Sequence, residues 1–153
     1  MDTKKYISHS PDETEQIGKE LAEYLQNDLT LPRFVALYGD LGVGKTAFVR
    51  GFTFVIAPNA RVKSPTFALV NEYKGEKLCV FHFDMYRIED EYDLYSIGFY
   101  DYADRNGICM IEWSENIEYA LPDRYIRVKI EKDLSQGEDE RIIFVEEINK
   151  TKK

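Results

Sequence analysis

The residues best suited to chemistry form one octapeptide, Gly39-Asp40-Leu41-Gly42-Val43-Gly44-Lys45-Thr46. It fits the phosphate-binding pattern G-x-x-x-x-G-K-[ST] without deviation. Glycines let backbone N–H groups turn inward around phosphate oxygens with no Cβ in the way. Lys45 supplies a point charge for β- and γ-phosphates, and the Thr46 hydroxyl can ligate Mg²⁺. Such a site also needs an acidic group at the end of a neighbouring strand to hold the metal through water. Two positions qualify. The run Leu78 to Phe83 ends in Asp84, and Ile108-Cys109-Met110-Ile111 ends in Glu112. Two such acids suggest a division of labour, one for metal and one to position or deprotonate an attacking water.

Further candidates surround these. Thr66, in Ser64-Pro65-Thr66, stands where GTPases place a threonine that senses the γ-phosphate and Mg²⁺; it also reads as a simple turn residue. Arg87, three residues past Asp84, can stabilise phosphate charge or form a surface salt bridge. His82 shares a strand face with Asp84 and is read as a hydrogen-bonded structural histidine. Trp113 directly follows Glu112 and is either a packing residue or a partner anchor.

The elements that must position these groups follow from periodicity. Arg33 to Tyr38 is a short apolar run bounded by Pro32 and Gly39, a buried strand. Ala47 to Phe52 continues as a helix that should stop before Pro58. Strand, glycine loop and helix together put phosphates at a positive helix N-terminus. Ser10-Pro11-Asp12-Glu13 reads as a capping box opening a helix to about Gln26, with Ile17, Leu21 and Leu25 on one face. Phe67–Tyr73 and Lys77–Asp84 read as a β-hairpin, Glu91–Tyr102 as a helix, and Ile108–Ile111 as a central strand. Tyr125–Ile130 and Ile142–Glu146 read as strands joined by a polar loop at Ser135-Gln136-Gly137. The expected fold class is α/β, a P-loop NTPase fold. Its mixed sheet has a parallel core flanked by helices, and the two hairpins add antiparallel strands. Residues 1–149 are expected to form a single domain and Lys150–Lys153 a disordered tail.

Composition narrows the function classes. The net charge of −8 over 153 residues opposes tight sequence-independent nucleic-acid binding. Acidic clusters at Asp12-Glu13, Glu89-Asp90-Glu91 and Glu138-Asp139-Glu140 read as solvated loops and helix starts, or as a face for a basic partner. No apolar run has membrane-spanning length and no signal peptide opens the chain, so a cytoplasmic location is expected. Cys79 and Cys109 lack metal-ligand spacing and read as reduced core thiols. The N-K-x-D guanine motif is missing, so adenine is the expected base. No arginine-bearing insertion resembles a kinase lid.

The P-loop taken together with Ser64-Pro65-Thr66-Phe67, His82-Phe83-Asp84-Met85-Tyr86-Arg87 and Glu112-Trp113 closely resembles the TsaE (YjeE) family. The likeness runs from about Pro11 to about Ile143. These are bacterial ATPases of tRNA threonylcarbamoyladenosine biosynthesis. The resemblance implies ATP and Mg²⁺ as cofactors. It implies as partners the transferase subunit TsaD and its inactive paralogue TsaB, with tRNA engaged through the complex. By motif, Thr46 and Glu112 hold Mg²⁺, and Gly42, Val43, Gly44, Lys45, Thr46 and Ala47 wrap the phosphates. Asp84 is the acid/base candidate, and Trp113 a functional neighbour. Glu13 of the Pro-Asp-Glu segment and Gly137 of the C-terminal glycine loop approach the nucleotide. Ala47 and Ala68 depart from the family, which often has threonine at both positions. The functional expectation is an ATPase that supports the transfer complex; the alternative is a nucleotide-gated binding module with negligible hydrolysis of its own.

Overall fold

The computed structural model describes residues 1–40, 42–65 and 69–151. Leu41, Thr66, Phe67, Ala68 and the tail residues Lys152 and Lys153 lie outside the described residues, so the expectations for Thr66, the start of the first hairpin strand and the tail's end fall there.

The strands are β1 (Lys4–Ser8), β2 (Phe34–Tyr38), β3 (Val70–Lys74), β4 (Cys79–Asp84), β5 (Gly107–Glu112), β6 (Arg124–Lys132) and β7 (Arg141–Asn149). The helices are α1 (Pro11–Asn27), α2 (Lys45–Ile56), α3 (Glu91–Ser96) and α4 (Phe99–Tyr102). All seven strands join one sheet in the order β1-β7-β6-β2-β5-β4-β3. β2 pairs in parallel with both β5 and β6, and β5 pairs in parallel with β4. β3, β7 and β1 complete the two flanks with antiparallel pairs.

This is the expected mixed α/β sheet, with four corrections. First, the hairpins do not simply add antiparallel strands. One strand of each, β4 and β6, belongs to the parallel core, because long crossovers through α3–α4 and the segment after β5 bring those strands back in the same direction. Second, β1 has no counterpart in the sequence reading. Its side chains alternate between half-buried and exposed up to Ile7 and end in the buried Ser8, and it pairs with β7. Third, the helix expected over Glu91–Tyr102 is two short helices, parted where the chain turns at Gly98 (φ 70). Fourth, Lys150 and Thr151, expected in a disordered tail, are hydrogen-bonded. The Lys150 N–H donates to the Asp123 carbonyl at 2.8 Å, and Thr151 donates to the Asn149 side chain.

Strand alternation sorts the core onto two faces. Val35, Leu37, Val80, Met110 and Ile126 pack against Leu21, Leu25, Phe48 and Phe52 of α1 and α2. Phe34, Ala36, Phe81, Phe83 and Ile111 pack with Leu94, Phe99 and Ile117 on the opposite face. On the first face α1 lies hard against α2. A Cβ on Gly51 would stand 1.9 Å from the Glu15 carbonyl oxygen, and one on Gly18 2.3 Å from that of Phe48. This contact sets where the N-terminus of α1 falls relative to that of α2.

Candidate nucleotide site

The carboxyl ends of β1, β2, β4, β5 and β6 share one edge of the sheet, the position where open α/β sheets bind ligands. The octapeptide leaves β2 there and enters α2. Gly44 is the N-cap of α2 with φ 112, a left-handed conformation costly for residues with a Cβ, and no side chain caps the helix. The first-turn N–H groups, on Lys45, Thr46 and Ala47, are therefore free of intrahelical acceptors and point out of a positive helix end. That donor set fits phosphate oxygens.

Lys45 is 4% exposed, and its Nζ donates to the Gly39 carbonyl at 2.6 Å. The same ammonium lies 3.8 Å from the centre of the Trp113 ring, a cation–π contact. Burial pushes the Lys45 pKa below its ordinary value, opposed by the carboxylates of Glu112, Glu115, Asp84 and Asp40. Trp113 has φ 59, an uncommon left-handed backbone for a bulky residue, and its ring also packs on Tyr86 at 5.0 Å. Its ring thus contacts both the P-loop lysine and Tyr86.

Asp84 and Glu112 stand directly opposite each other in the β4–β5 register. Both lie on the α1/α2 face, Glu112 one strand and Asp84 two strands from the P-loop strand. Burial raises the pKa of Asp84; the Tyr86 N–H, donated to Asp84 Oδ1 at 2.9 Å, lowers it, and the Glu112 charge raises it. Glu112 is 6% exposed, and its Oε2 lies 2.5 Å from His82 Nε2. Thr46 is half-buried in the first turn of α2. A helix N-terminus carrying a threonine hydroxyl, with two carboxylates on adjacent strands, is an all-oxygen donor set suited to Mg²⁺.

The remaining expected residues divide. Ser10 caps α1 by accepting from the Glu13 N–H at 3.1 Å. The reciprocal half of the capping box is displaced: Glu13 Oε2 accepts the His9 N–H at 2.5 Å rather than that of Ser10. This segment does flank the P-loop, for a Cβ on Gly44 would lie 3.8 Å from Thr14 Cγ2. Gly137 (φ 135) lies in the β6–β7 loop at the same edge. The loop reaches the P-loop through Arg141, whose Nε donates to the Val43 carbonyl at 2.8 Å. Arg87 is exposed. Sequence reasoning missed Arg141, a lone arginine after an acidic cluster with no spacing to mark it. It also missed the buried Ser8–Thr14 hydroxyl pair (2.8 Å) that ties β1 to α1.

The family model for threonylcarbamoyl adenosine biosynthesis protein TsaE matches residues 8–143. The chain belongs to the TsaE family. The TsaE-family chain is 36% identical over 143 residues to the tRNA threonylcarbamoyladenosine biosynthesis protein TsaE of Bacillus subtilis, covering 94% of this chain and 85% of that one. It is 41% identical over 125 residues to the TsaE protein of Haemophilus influenzae, covering 79% and 78%. The crystal structure of Bacillus subtilis YdiB matches its fold with a TM-score of 0.71 at 31% identity, over 94% of this chain and 84% of that one. The TsaE-family chain thus has a P-loop fold and belongs to tRNA threonylcarbamoyladenosine biosynthesis. Among the described residues no helix is long and apolar enough to cross a membrane.

Proposed function

We propose that this chain is a Mg²⁺-dependent ATPase that supports threonylcarbamoyl transfer to the adenosine beside the anticodon, in tRNAs reading codons that begin with A. Residues 1–149 act as one ATPase domain, working in the cytoplasm. The observation that carries this reading is the in-register pair Asp84–Glu112 at the strand ends beside an uncapped P-loop helix. Lys45 would exchange its Gly39 carbonyl for β- and γ-phosphate oxygens. The N–H groups from Gly42 to Ala47 would surround the phosphates, with Glu13 and Gly137 approaching from the flanking segments. Thr46 and Glu112 would hold Mg²⁺, and Asp84 would orient the attacking water and accept its proton. Thr66 is assigned to γ-phosphate sensing by its motif. Bound Mg²⁺ would neutralise negative charge on the phosphates.

Turnover is proposed to depend on the partners TsaD and TsaB, with tRNA reached through them. An arginine at the transferred phosphate is worth about a thousandfold or more. Among the described residues the arginine bonded to the P-loop is Arg141, which is committed to the carbonyls of Val43, Glu138 and Glu140. That observation favours slow hydrolysis by the isolated chain and keeps a second reading in view, a nucleotide-gated binding module. Lys45→Ala tests the common ground. Calorimetry should show loss of ATP binding in a variant that still folds; unchanged ATP affinity and hydrolysis would overturn the assignment.

A further inference from the structure

Three strands carry a buried polar chain on the α1/α2 face. Tyr73 of β3, His82 of β4 and Glu112 of β5 are 5%, 0% and 6% exposed. Register explains how they meet. Asn71 faces His82 and Met110 faces His82 across the two ladders, so Tyr73 and Glu112, each two residues further along, are its diagonal neighbours on the same face. His82 Nε2 lies 2.5 Å from Glu112 Oε2, and His82 Nδ1 lies 3.2 Å from the Tyr73 hydroxyl. A carboxylate only accepts, so Nε2 carries the proton, while the single Tyr73 hydroxyl proton lies within reach of both Nδ1 and the Lys63 carbonyl. The chain continues past the sheet. The Tyr73 hydroxyl accepts the Lys63 N–H at 3.1 Å and lies 3.0 Å from the Lys63 carbonyl, and Asn71 Nδ2 also donates to that carbonyl. Lys63 directly precedes Ser64-Pro65-Thr66.

A fully buried imidazole bonded at both nitrogens is a costly way to fill a core unless its orientation matters. Glu112 has two carboxylate oxygens, and the bond from His82 fixes one of them, which aims the other. We propose that His82 is a positioning residue for Glu112, setting the carboxylate for the divalent cation, and that Tyr73 locks the imidazole and links it to the Ser64-Pro65 loop. The geometry is that of an outer-shell hydrogen bond on a metal-binding carboxylate. Through it, any displacement of the loop at Lys63 is transmitted to Glu112 by three hydrogen bonds. This inference rests on the proposed role of Glu112 in holding Mg²⁺.

The test measures affinity for a non-hydrolysable ATP analogue by calorimetry, with Mg²⁺ and with EDTA, in wild type, Glu112→Gln, His82→Leu, His82→Gln and Tyr73→Phe. Mn²⁺ binding in the presence of the analogue is followed by electron paramagnetic resonance. Loss of such an outer-shell bond costs about 10- to 100-fold in metal affinity. His82→Leu is expected to weaken the Mg²⁺-dependent binding and the Mn²⁺ affinity by that factor while leaving binding in EDTA unchanged. His82→Gln, which can still donate to Glu112, should recover most of it. Tyr73→Phe keeps the ring and removes one oxygen. It should act in the same direction, less strongly, and speed amide hydrogen exchange at Lys63. A folded His82→Leu with wild-type metal dependence, or with equal losses with and without Mg²⁺, overturns the proposal. If His82→Leu does not fold, an unchanged metal dependence in Tyr73→Phe overturns it. Loss in Glu112→Gln alone sinks this inference and leaves the proposed function standing; wild-type binding indifferent to Mg²⁺ sinks both.

Discussion

Asp84 shows how the site works against the stability of the chain that carries it. Its carboxyl is half-buried among Glu112, Lys45 and the β4 end, and burial is the largest influence raising its pKa. An aspartate whose pKa is higher in the folded than in the unfolded state binds its proton more tightly when folded. Its penalty is absent at a pH below the unfolded value of 3.8 and grows as pH rises through the folded value. Asp84→Asn keeps an oxygen for the Tyr86 N–H and removes the charge. In EDTA it should melt at a higher temperature than wild type at neutral pH. The difference should vanish as the pH falls below the ordinary carboxylate range. The same variant should keep nucleotide binding and lose hydrolysis. Scanning calorimetry across pH checks the first expectation; a neutral-pH melting temperature at or below that of wild type contradicts it.

At the scale of elements, the site depends on where helix ends are held. α1 brings Thr14 and the Glu13 segment to Gly44 because its backbone packs directly on α2 at Gly18 and Gly51. Gly51→Ala would place a methyl 1.9 Å from the Glu15 carbonyl, and backbone cannot yield as a side-chain tip does. Overpacking of this kind costs about 1–3 kcal/mol. The variant should lower the denaturation midpoint with the slope unchanged, and weaken nucleotide binding as α1 is lifted from the P-loop. Urea unfolding followed by calorimetry measures both. Wild-type stability would show that the helices separate freely.

The whole molecule carries a net charge of −8. Part of that charge borders exposed aromatic side chains: Tyr92 and Tyr95 of α3, 83% and 66% exposed, lie among Asp90, Glu91 and Asp93. Acidic surface favours a basic protein partner over bare tRNA, and its contribution to docking is screened by salt. The isolated chain should turn ATP over slowly. The TsaD–TsaB heterodimer should accelerate it, and high salt should diminish that acceleration. Steady-state ATPase assays with and without the heterodimer, at low and high salt, check this. Full turnover by the chain alone, unaltered by the heterodimer, would show an autonomous enzyme.

The sequence by itself determined the parts whose physics is local. The P-loop motif is one contiguous octapeptide, short apolar runs mark the core strands, and Ser10-Pro11 starts α1 where expected. Asp84 and Glu112 could be picked out because each terminates an apolar run. Tertiary structure alone decided their relation. The parallel pairing of β4 with β5, which a hairpin reading of β3–β4 could not reveal, sets the two acids side by side. It also decided the partners of Lys45, Glu112 and Val43: Trp113, His82 and Arg141. The reason is that strand order and register are fixed by nonlocal pairing and two-sided burial, and these leave no periodic mark on the chain.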